Sequence, residues 1–218
     1  MENLENSLKF KSWLMRLQKA GLELRKYQEL ATVRKKNGEV LFSFLDTKVW
    51  DKELNRFLPG YLVLRGNFVS VLTCLTEKAT SKRYLLLVCQ RRIGNGEVFF
   101  EHPCGMCDNQ QDIYTVALQE LREETGLEID REQLILLNAE PYYTSPGLLD
   151  EGGYFFCCEL VLESSEIWSL AKQRRGESIE NEYIITQVVE LEEAPRLMRN
   201  ANALLNYYLY LEYKNKHY

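Results

Sequence analysis

Apolar residues recur three and four positions apart, the spacing of an amphipathic helix, in two stretches of the chain. The first stretch predicts a helix over residues 8–21, with the apolar set Leu8, Phe10, Trp13, Leu14, Leu17 and Leu22. The second predicts a helix ended by Gly126, with the stripe Ile113, Val116, Ala117 and Leu121. The start of this second helix can be capped by Asp108, Asn109 or Asp112.

Runs of β-branched and apolar residues predict strands before and between these helices. Residues 29–34 and 39–50 are separated by Asn37-Gly38, a dipeptide typical of a hairpin turn. Residues 60–75 and 83–90 have the pattern of long buried strands, and residues 98–101 that of a short one. Since no repeat or long linker interrupts the chain, we expect one main domain with an N-terminal extension.

The composition is that of an ordinary globular protein. The chain has 218 residues, of which 45% are hydrophobic and 27% charged, so it is long enough to bury a core. A net charge of −5 argues against a protein that binds nucleic acid backbones or anionic membranes. No uncharged apolar run reaches the length of a membrane span, and the first residues lack the pattern of a secretory signal. A cytoplasmic location is therefore the default expectation.

Three glutamates crowd the second helix. At about 100° per residue, Glu120, Glu123 and Glu124 fall within one arc of the helix surface. Like charges at this spacing repel each other, so solubility alone would favour alternating signs. A hard divalent cation such as Mg²⁺ removes that repulsion, because it takes carboxylate oxygens as ligands. Without further context, a solvated acidic face is the simpler interpretation.

The residues around these acids resemble the Nudix box. That pattern is Gly, five residues, Glu, seven residues, and then Arg-Glu-apolar-x-Glu-Glu-x-Gly-apolar. Seven of its nine fixed positions are matched in register, by Gly105, Glu120, Leu121, Glu123, Glu124, Gly126 and Leu127. A pattern of this length is far more specific than a lone glycine-rich loop. The resemblance implies a diphosphohydrolase that cleaves a nucleoside diphosphate linked to another moiety and uses a divalent metal.

Two positions of the box differ from the family pattern. Gln111 stands where the box has its first Glu, and Gln119 stands where it has Arg. In the family, this Glu and Arg look like a pair of residues that braces the site internally. A Gln–Gln pair can keep a hydrogen-bonded brace without its charge, although the missing cation increases the repulsion among the three glutamates. We expect a modified site that still binds metal; the alternative is a catalytically impaired module that only binds nucleotide sugars.

Further stretches resemble the ADP-ribose and ADP-sugar diphosphatase branch of the family, closest to the plant ADP-sugar type. They are F-K-S-W-L-M-R-L, L-P-G-Y-L-V-L-R-G, Gln90-x-Arg92, Glu101-x-Pro103-x-Gly105 and Y-T-S-P-G-L-L-D-E. Their order along the chain makes them persuasive together, over about residues 10–195. The resemblance implies a substrate such as ADP-ribose or ADP-glucose, cleaved to a nucleoside monophosphate and a sugar phosphate.

The resemblance also implies roles for single residues. Glu120 and Glu124, flanked by Glu123, would hold Mg²⁺ or Mn²⁺ with the backbone carbonyl of Cys104. Substrate contacts fall on Arg92, Glu101, Ser145, Gly147 and Glu151. Arg92 suits a phosphate because a guanidinium can bind its oxygens bidentately. For Arg92 and Glu151 the competing interpretation is a charged side chain without a function.

A late acidic loop offers the acid that activates water. Glu182 stands where the resemblance puts a functional acid, and Glu180 is the near alternative. Such a base needs only to reach one water, so a loop residue suffices. The competing interpretation is a solvated acidic loop.

Cys104 and Cys107 have the spacing of a redox or zinc pair. A structural zinc site needs two more ligands, and the chain has only two histidines, His102 and His217. Since Pro103-Cys104-Gly105 takes the place of the family's Pro-Ala-Gly, we rank cysteine chemistry below the box.

The fold implied by the resemblance is α/β: the Nudix fold, with mixed β-sheets sandwiched between helices. Residues 1–58 would form an N-terminal extension with a helix and strands, and residues 59–218 the hydrolase domain. In this branch the extension commonly pairs two subunits, so a homodimer is implied.

Overall fold

The computed structural model describes residues 3–108, 111–176 and 183–217. By their contacts, these residues divide into two compact units. The first contains residues 3–68, 106–108 and Tyr143–Gly152, and the second contains Val69–Gly105, 111–142 and the described residues from Gly153 onward. The domain boundary after residue 58 stays a prediction. No helix in the described part of the chain is long and apolar enough to cross a membrane.

The first unit begins with helix α1 and continues as a four-stranded sheet. Helix α1 covers Leu8–Lys19, close to the prediction. The strands are β1 (Leu22–Arg34), β2 (Val40–Asp51), β3 (Arg56–Phe57) and β4 (Tyr61–Leu64). Strands β1 and β2 form an antiparallel hairpin, and both β3 and β4 pair with β2. The hairpin turn is the predicted one, since Gly38 has a φ of +90° and Lys35 N–H donates to the Glu39 carbonyl.

Strand β1 begins seven residues before the predicted start at residue 29. Its first half is rich in charged residues, and it shows no alternation of buried and exposed positions. Apolar periodicity therefore could not reveal it. Strand β1 is held by its antiparallel backbone pairing with β2, which runs from Leu22 opposite Asp51 to Arg34 opposite Val40.

Helix α1 packs its apolar face into the core of the first unit. The Ser7 Oγ accepts the Phe10 N–H and so caps the start of the helix. Phe10 and Trp13 are buried together with Val40, Leu45, Val49 and Leu64. Their rings meet edge to face, with centroids 5.5 Å apart. Burying each large side chain contributes roughly 1.5–3 kcal/mol, which fixes α1 to its sheet.

The single strand predicted over residues 60–75 is wrong, because the chain breaks at Gly66. Strand β4 ends at Leu64, and β5 (Phe68–Glu77) belongs to a different sheet. Gly66 has a φ of +86°, a conformation that glycine adopts without strain. The apolar residues on both sides concealed this break.

Among the described residues, the second sheet has nine strands. Its main path follows the order β10-β11-β5-β6-β13-β12, while β7 pairs with β6, β8 with β5 and β9 with β11. The strands after β5 are β6 (Arg83–Arg91), β7 (Val98–Glu101), β8 (Cys104–Met106), β9 (Ile135–Leu136), β10 (Tyr142–Tyr143), β11 (Gly152–Leu162), β12 (Arg174–Arg175) and β13 (Ile184–Glu190).

Helices cover both faces of this sheet within the second unit. They are α2 (Ile113–Thr125), α3 (Ser164–Ser169), α4 (Ala194–Leu197) and α5 (Ala201–His217). Leu85 and Leu87 of β6 pack in one core cluster with Tyr210 of α5, whereas Leu86 packs in another with Ile167 of α3. Since alternate residues of a strand face opposite sides, α5 and α3 lie on opposite faces. The predicted α/β architecture, with a sheet between helices, is confirmed.

Helix α2 is the element that carries the acidic residues. Of the three candidate caps, Asp112 accepts N–H bonds from Tyr114 and Thr115, and Asn109 lies outside the described residues. Hydrogen bonds from Thr115 and Arg131 lower the pKa of Asp112 to about 2, so the cap is charged at neutral pH, as suits a helix N-terminus. The helix ends at Gly126, whose φ is +78°, as predicted.

We predict that Gly126→Ala destabilises the second unit by about 1–2 kcal/mol, because an L-residue is strained in the left-handed conformation. A Cβ at this position would also lie 2.5 Å from the Arg175 guanidinium. Urea unfolding followed by circular dichroism measures the effect. Gly94→Ala is the matched control, since a Cβ there meets no atom within 4 Å. Equal unfolding midpoints for the two variants would contradict the prediction.

Candidate active site

Glu120 and Gly105 fit against each other. The Glu120 side chain extends from α2 onto Gly105, on strand β8, so closely that a Cβ added to Gly105 would overlap its Cγ, Cδ and Oε1 atoms. Only glycine leaves that space. Gly105 is therefore needed for the Glu120 side chain to occupy its position.

Glu124 contacts the residue before that glycine. It is 7% exposed, and its Oε2 accepts the backbone N–H of Cys104 at 3.2 Å. Glu120 and Glu124 lie one turn apart on α2, so their carboxylates meet two consecutive backbone positions, 104 and 105. The structure thus brings the three predicted metal residues, Cys104, Glu120 and Glu124, together.

Glu123 has a different partner. Its Oε1 accepts a hydrogen bond of 2.9 Å from the Gln119 side-chain amide, four residues earlier on the exposed side of α2. Gln119, at the arginine position of the box, thus supplies a hydrogen bond without a charge. The brace between Gln111 and Gln119 stays a prediction.

The donor atoms near Cys104 suit a hard cation. Among the described residues, no three Asp, Glu, His or Cys side chains stand together as a metal-binding group. Mg²⁺, however, is commonly held by one or two carboxylates and keeps several waters. Glu120 and Glu124, with the backbone beside them, form an oxygen donor set of this kind, so these residues fit the expected divalent ion.

Arg92 is anchored by Glu101. The Arg92 Nε and Nη2 donate to Glu101 Oε2 at 3.1 and 2.6 Å, and Glu101 is only 4% exposed. Burial lowers the pKa of Arg92, but the hydrogen bonds and charge of Glu101 outweigh it and raise the pKa overall. Arg92 therefore stays charged. The carboxylate of Glu101 is used inside the protein to orient Arg92; its predicted contact with substrate stays a prediction.

Asn200 is a third member of this group that the sequence did not reveal. Its Nδ2 donates to Glu101 Oε1 at 2.6 Å, the oxygen that Arg92 contacts only weakly, through Nε at 3.4 Å. Asn200 precedes α5 and lies 99 residues after Glu101. No spacing or motif links two such residues.

Cys104, the first residue of the cysteine pair, lacks the lowered pKa of a reactive thiol. All six cysteines are free thiols. Burial raises the pKa of the Cys104 thiol well above its ordinary value, and the charges of Glu124 and Glu101 raise it further. Reactive cysteines have a lowered pKa, because the thiolate is the nucleophile. Cys104 therefore contributes through its backbone.

The other predicted substrate residues lie in the first unit. Ser145 and Gly147 belong to a turn in which the Ser145 carbonyl accepts the N–H groups of Leu148 and Leu149. Glu151 forms an ion pair of 3.0 Å with Arg65 Nε. Burial raises the pKa of Glu151 even though Arg65 opposes the shift. Their contacts with substrate stay predictions.

The two candidate bases, Glu180 and Glu182, lie outside the described residues. The flanking strands are described: β12 pairs with β13, and the Arg174 guanidinium lies over the Tyr183 ring at 4.4 Å from its centroid.

Comparisons with known proteins agree with this geometry. A profile of the NUDIX domain matches residues 66–205. The protein named "Nudix hydrolase 14, chloroplastic" from Arabidopsis thaliana is 29% identical over 170 residues, which are 74% of this chain and 54% of that protein. "ADP-ribose pyrophosphatase" from Bacillus subtilis (strain 168) is 29% identical over 121 residues, which are 56% of this chain and 59% of that protein. The chain thus spans little more than half the length of these curated relatives.

A solved structure described as "Crystal structure of ADP compounds hydrolase" shares the fold. It aligns with a TM-score of 0.61 at 14% identity, over 90% of this chain and 96% of that one.

We predict that Gly105→Ala weakens Mn²⁺ binding roughly 10- to 100-fold, as the loss of a supporting group at a metal site does. The physical reason is that the added methyl group displaces the Glu120 carboxylate. Isothermal titration calorimetry of the purified protein measures the affinity. Gly94→Ala, which adds a methyl group to open space, is the control and should bind Mn²⁺ as the wild type does. An unchanged affinity in Gly105→Ala would show that the place of Glu120 does not matter for metal.

Proposed function

Because the chain belongs to the Nudix family, we propose that it hydrolyses the diphosphate bond of a nucleoside diphosphate sugar of the ADP-ribose or ADP-glucose type. Water attacks one phosphorus, the bond to the bridging oxygen breaks, and a nucleoside monophosphate and a sugar phosphate leave. The observation that carries the proposal is the convergence of Glu120 and Glu124 on the backbone of residues 104 and 105. The relative named as an ADP-ribose pyrophosphatase supports the substrate class.

Glu120, Glu124 and the Cys104 carbonyl would hold Mg²⁺ or Mn²⁺. When bound there, a divalent ion neutralises diphosphate charge and lowers the pKa of water. The chain's own contribution is preorganisation: Gly105 makes room for one carboxylate, and the Cys104 N–H holds the other. The carboxylates of Glu120 and Glu124, one turn apart, repel each other, and a bound cation would relieve this repulsion.

Arg92 would bind a phosphate or the terminal sugar. A guanidinium has five N–H donors, and Glu101 accepts from the Nε side and one terminal nitrogen, which leaves donors for a substrate. Glu101 and Asn200 hold Arg92 in one orientation, and its raised pKa keeps it charged. Orientation before binding lowers the entropic cost of contacting the diphosphate.

The proton of the attacking water would pass to Glu182, with Glu180 as the near alternative; this assignment follows from the resemblance. Glu123, which accepts a hydrogen bond from Gln119, would add negative charge to the same face of α2. We also expect a homodimer and a cytoplasmic location, and both stay predictions.

We predict that the protein, with Mg²⁺ or Mn²⁺, hydrolyses ADP-ribose or ADP-glucose to a nucleoside monophosphate and a sugar phosphate, from which a coupling phosphatase releases phosphate. Glu124→Gln should lower the rate by about 100-fold or more, because it removes charge from preorganised acids. Glu128→Gln, at an exposed acid just beyond α2, is the matched control and should leave the rate unchanged. UDP-glucose in the same panel tests the choice of base.

If the protein binds ADP-ribose but hydrolyses none of the nucleoside diphosphate sugars tested, this proposal is contradicted and a nucleotide-sugar-binding module is favoured. Loss of activity in Glu128→Gln as severe as in Glu124→Gln would contradict the assignment of the site to α2.

We also predict that the double variant Gln111→Glu/Gln119→Arg hydrolyses substrate about fivefold faster than the wild type. A cation beside three carboxylates in an exposed position is worth up to about 1 kcal/mol, and that free energy, gained in the transition state, corresponds to this change in rate. Steady-state kinetics at saturating Mg²⁺ measure it. Gln119→Leu, which removes the hydrogen bond to Glu123, should be slower than the wild type. A double variant no faster than the wild type would show that the glutamines carry no penalty.

A further inference from the structure

We propose that helix α1 positions two segments of the first unit, through Lys9 paired with Asp108 and Arg16 paired with Asp150. The first segment, residues 106–108, joins the Cys104–Gly105 backbone to helix α2. The second, residues 143–152, contains Ser145, Gly147 and Glu151. All four charged residues belong to the first unit. The inference rests on the proposed function only in that Ser145, Gly147 and Glu151 are expected to contact a diphosphate substrate.

Lys9 is a buried cation in the apolar face of α1. Its side chain is 4% exposed, and Nζ lies 2.7 Å from Asp108 Oδ1 and donates to the Leu41 carbonyl at 2.6 Å. The stem of Lys9 packs at Gly66, where a Cβ would come within 3.3 Å of its Cγ. Burying an ammonium group costs several kcal/mol unless it is paired. A helix that needed only to pack would carry an apolar residue here.

Asp108 forms ion pairs with two lysines, Lys9 and Lys35. Lys35 Nζ lies 2.7 Å from Oδ2, the oxygen that Lys9 does not contact. One residue earlier, the Cys107 N–H donates to the Asn67 carbonyl at 2.9 Å. Residues 106–108 are therefore held by side-chain and backbone bonds of the first unit, although Gly105 before them and Gln111 after them belong to the second unit. Along the chain, the ion-paired stretch lies between Gly105 and Gln111.

Arg16 holds the second segment through Asp150. Its Nη2 lies 2.7 Å from Asp150 Oδ2, and that carboxylate is 3% exposed. Asp150 Oδ1 also accepts the backbone N–H groups of Arg65 and Gly66, at 2.6 and 3.0 Å. The next residue, Glu151, pairs with the Arg65 side chain. Asp150 is thus saturated by α1 and by the turn after β4.

The two cations share one face of the helix. Residues seven apart are separated by about two turns and roughly 20° around the axis, so Lys9 and Arg16 lie in one row, about 10 Å apart. Buried ion pairs add little net stability compared with apolar packing, and their best-attested use is to fix one arrangement among several. One rigid helix with two such pairs can therefore set the conformation of two separate segments.

The test compares Lys9→Met and Arg16→Met with Lys11→Met and Lys19→Met, which remove exposed charges from the same helix. Hydrogen exchange of the metal-free protein is the first measurement. We expect faster exchange in residues 104–108 for Lys9→Met and in residues 143–151 for Arg16→Met, with little change elsewhere. Arg16→Lys, which keeps the charge, should restore most of the protection. Both controls should exchange as the wild type does.

Mn²⁺ titration and steady-state kinetics are the second measurement. Lys9→Met should weaken Mn²⁺ binding roughly 10-fold or more, as loss of support around a metal site does. Arg16→Met should raise KM more than it lowers kcat, because it loosens the segment expected to contact substrate. If Lys9→Met does not fold, Lys35→Met tests the same carboxylate from its more exposed partner.

Uniformly faster exchange along the chain, with unchanged Mn²⁺ affinity and KM, would mean that the pairs only stabilise the fold and would overturn the inference. Unchanged exchange in both segments would overturn it as well. If the wild type hydrolyses none of the panel, the proposed function fails. The exchange and Mn²⁺ measurements then still decide whether α1 positions these segments.

Discussion

The candidate site depends on keeping three carboxylates close together on one helix. Glu120, Glu123 and Glu124 share an arc of α2, and their repulsion opposes the conformation that the site needs. Each has a different contact: Glu120 packs against Gly105, Glu123 accepts a hydrogen bond from the Gln119 amide, and Glu124 accepts one from the Cys104 N–H. Two of these contacts are made by the backbone of β8, so this short strand is as much part of the candidate site as the acids are.

The same logic explains the anchoring of Arg92. A guanidinium that binds a diphosphate, the role proposed for Arg92, must be charged, oriented and still partly accessible. Glu101 meets the first two needs from a buried position, and Asn200 fixes Glu101 in turn. Because Asn200 leads into α5, the orientation of Arg92 is linked to the packing of that helix on β5 and β6. The acids on α2 and the cation at the end of β6 therefore each have their own support, and the charge of Glu124 also helps to raise the pKa of Arg92.

The local parts of this arrangement could be predicted from the sequence, and the long-range parts could not. The apolar stripe, Gly126 and the box spacing located α2 and its acids, because helix periodicity and caps are properties of neighbouring residues. The family and the α/β fold followed from the same residues. The early start of β1 and the break at Gly66 were missed, because apolar content gave no signal at either place. Asn200 and Lys9 were missed for another reason: their partners, Glu101 and Asp108, lie 99 residues away in each case along the chain.

Lys9 shows how such a residue could be noticed without a structure. It interrupts the apolar row of an otherwise amphipathic helix, at a position where its stem must be buried for Phe10 and Trp13 to pack. A charge in that position is costly unless a partner of opposite sign arrives from elsewhere in the chain. The mismatch between a helix pattern and one of its residues therefore indicates a distant acid, though not which one. In this protein the acid comes from the box itself, so a residue of helix α1 forms an ion pair with the segment that lies between Gly105 and Gln111 in the chain.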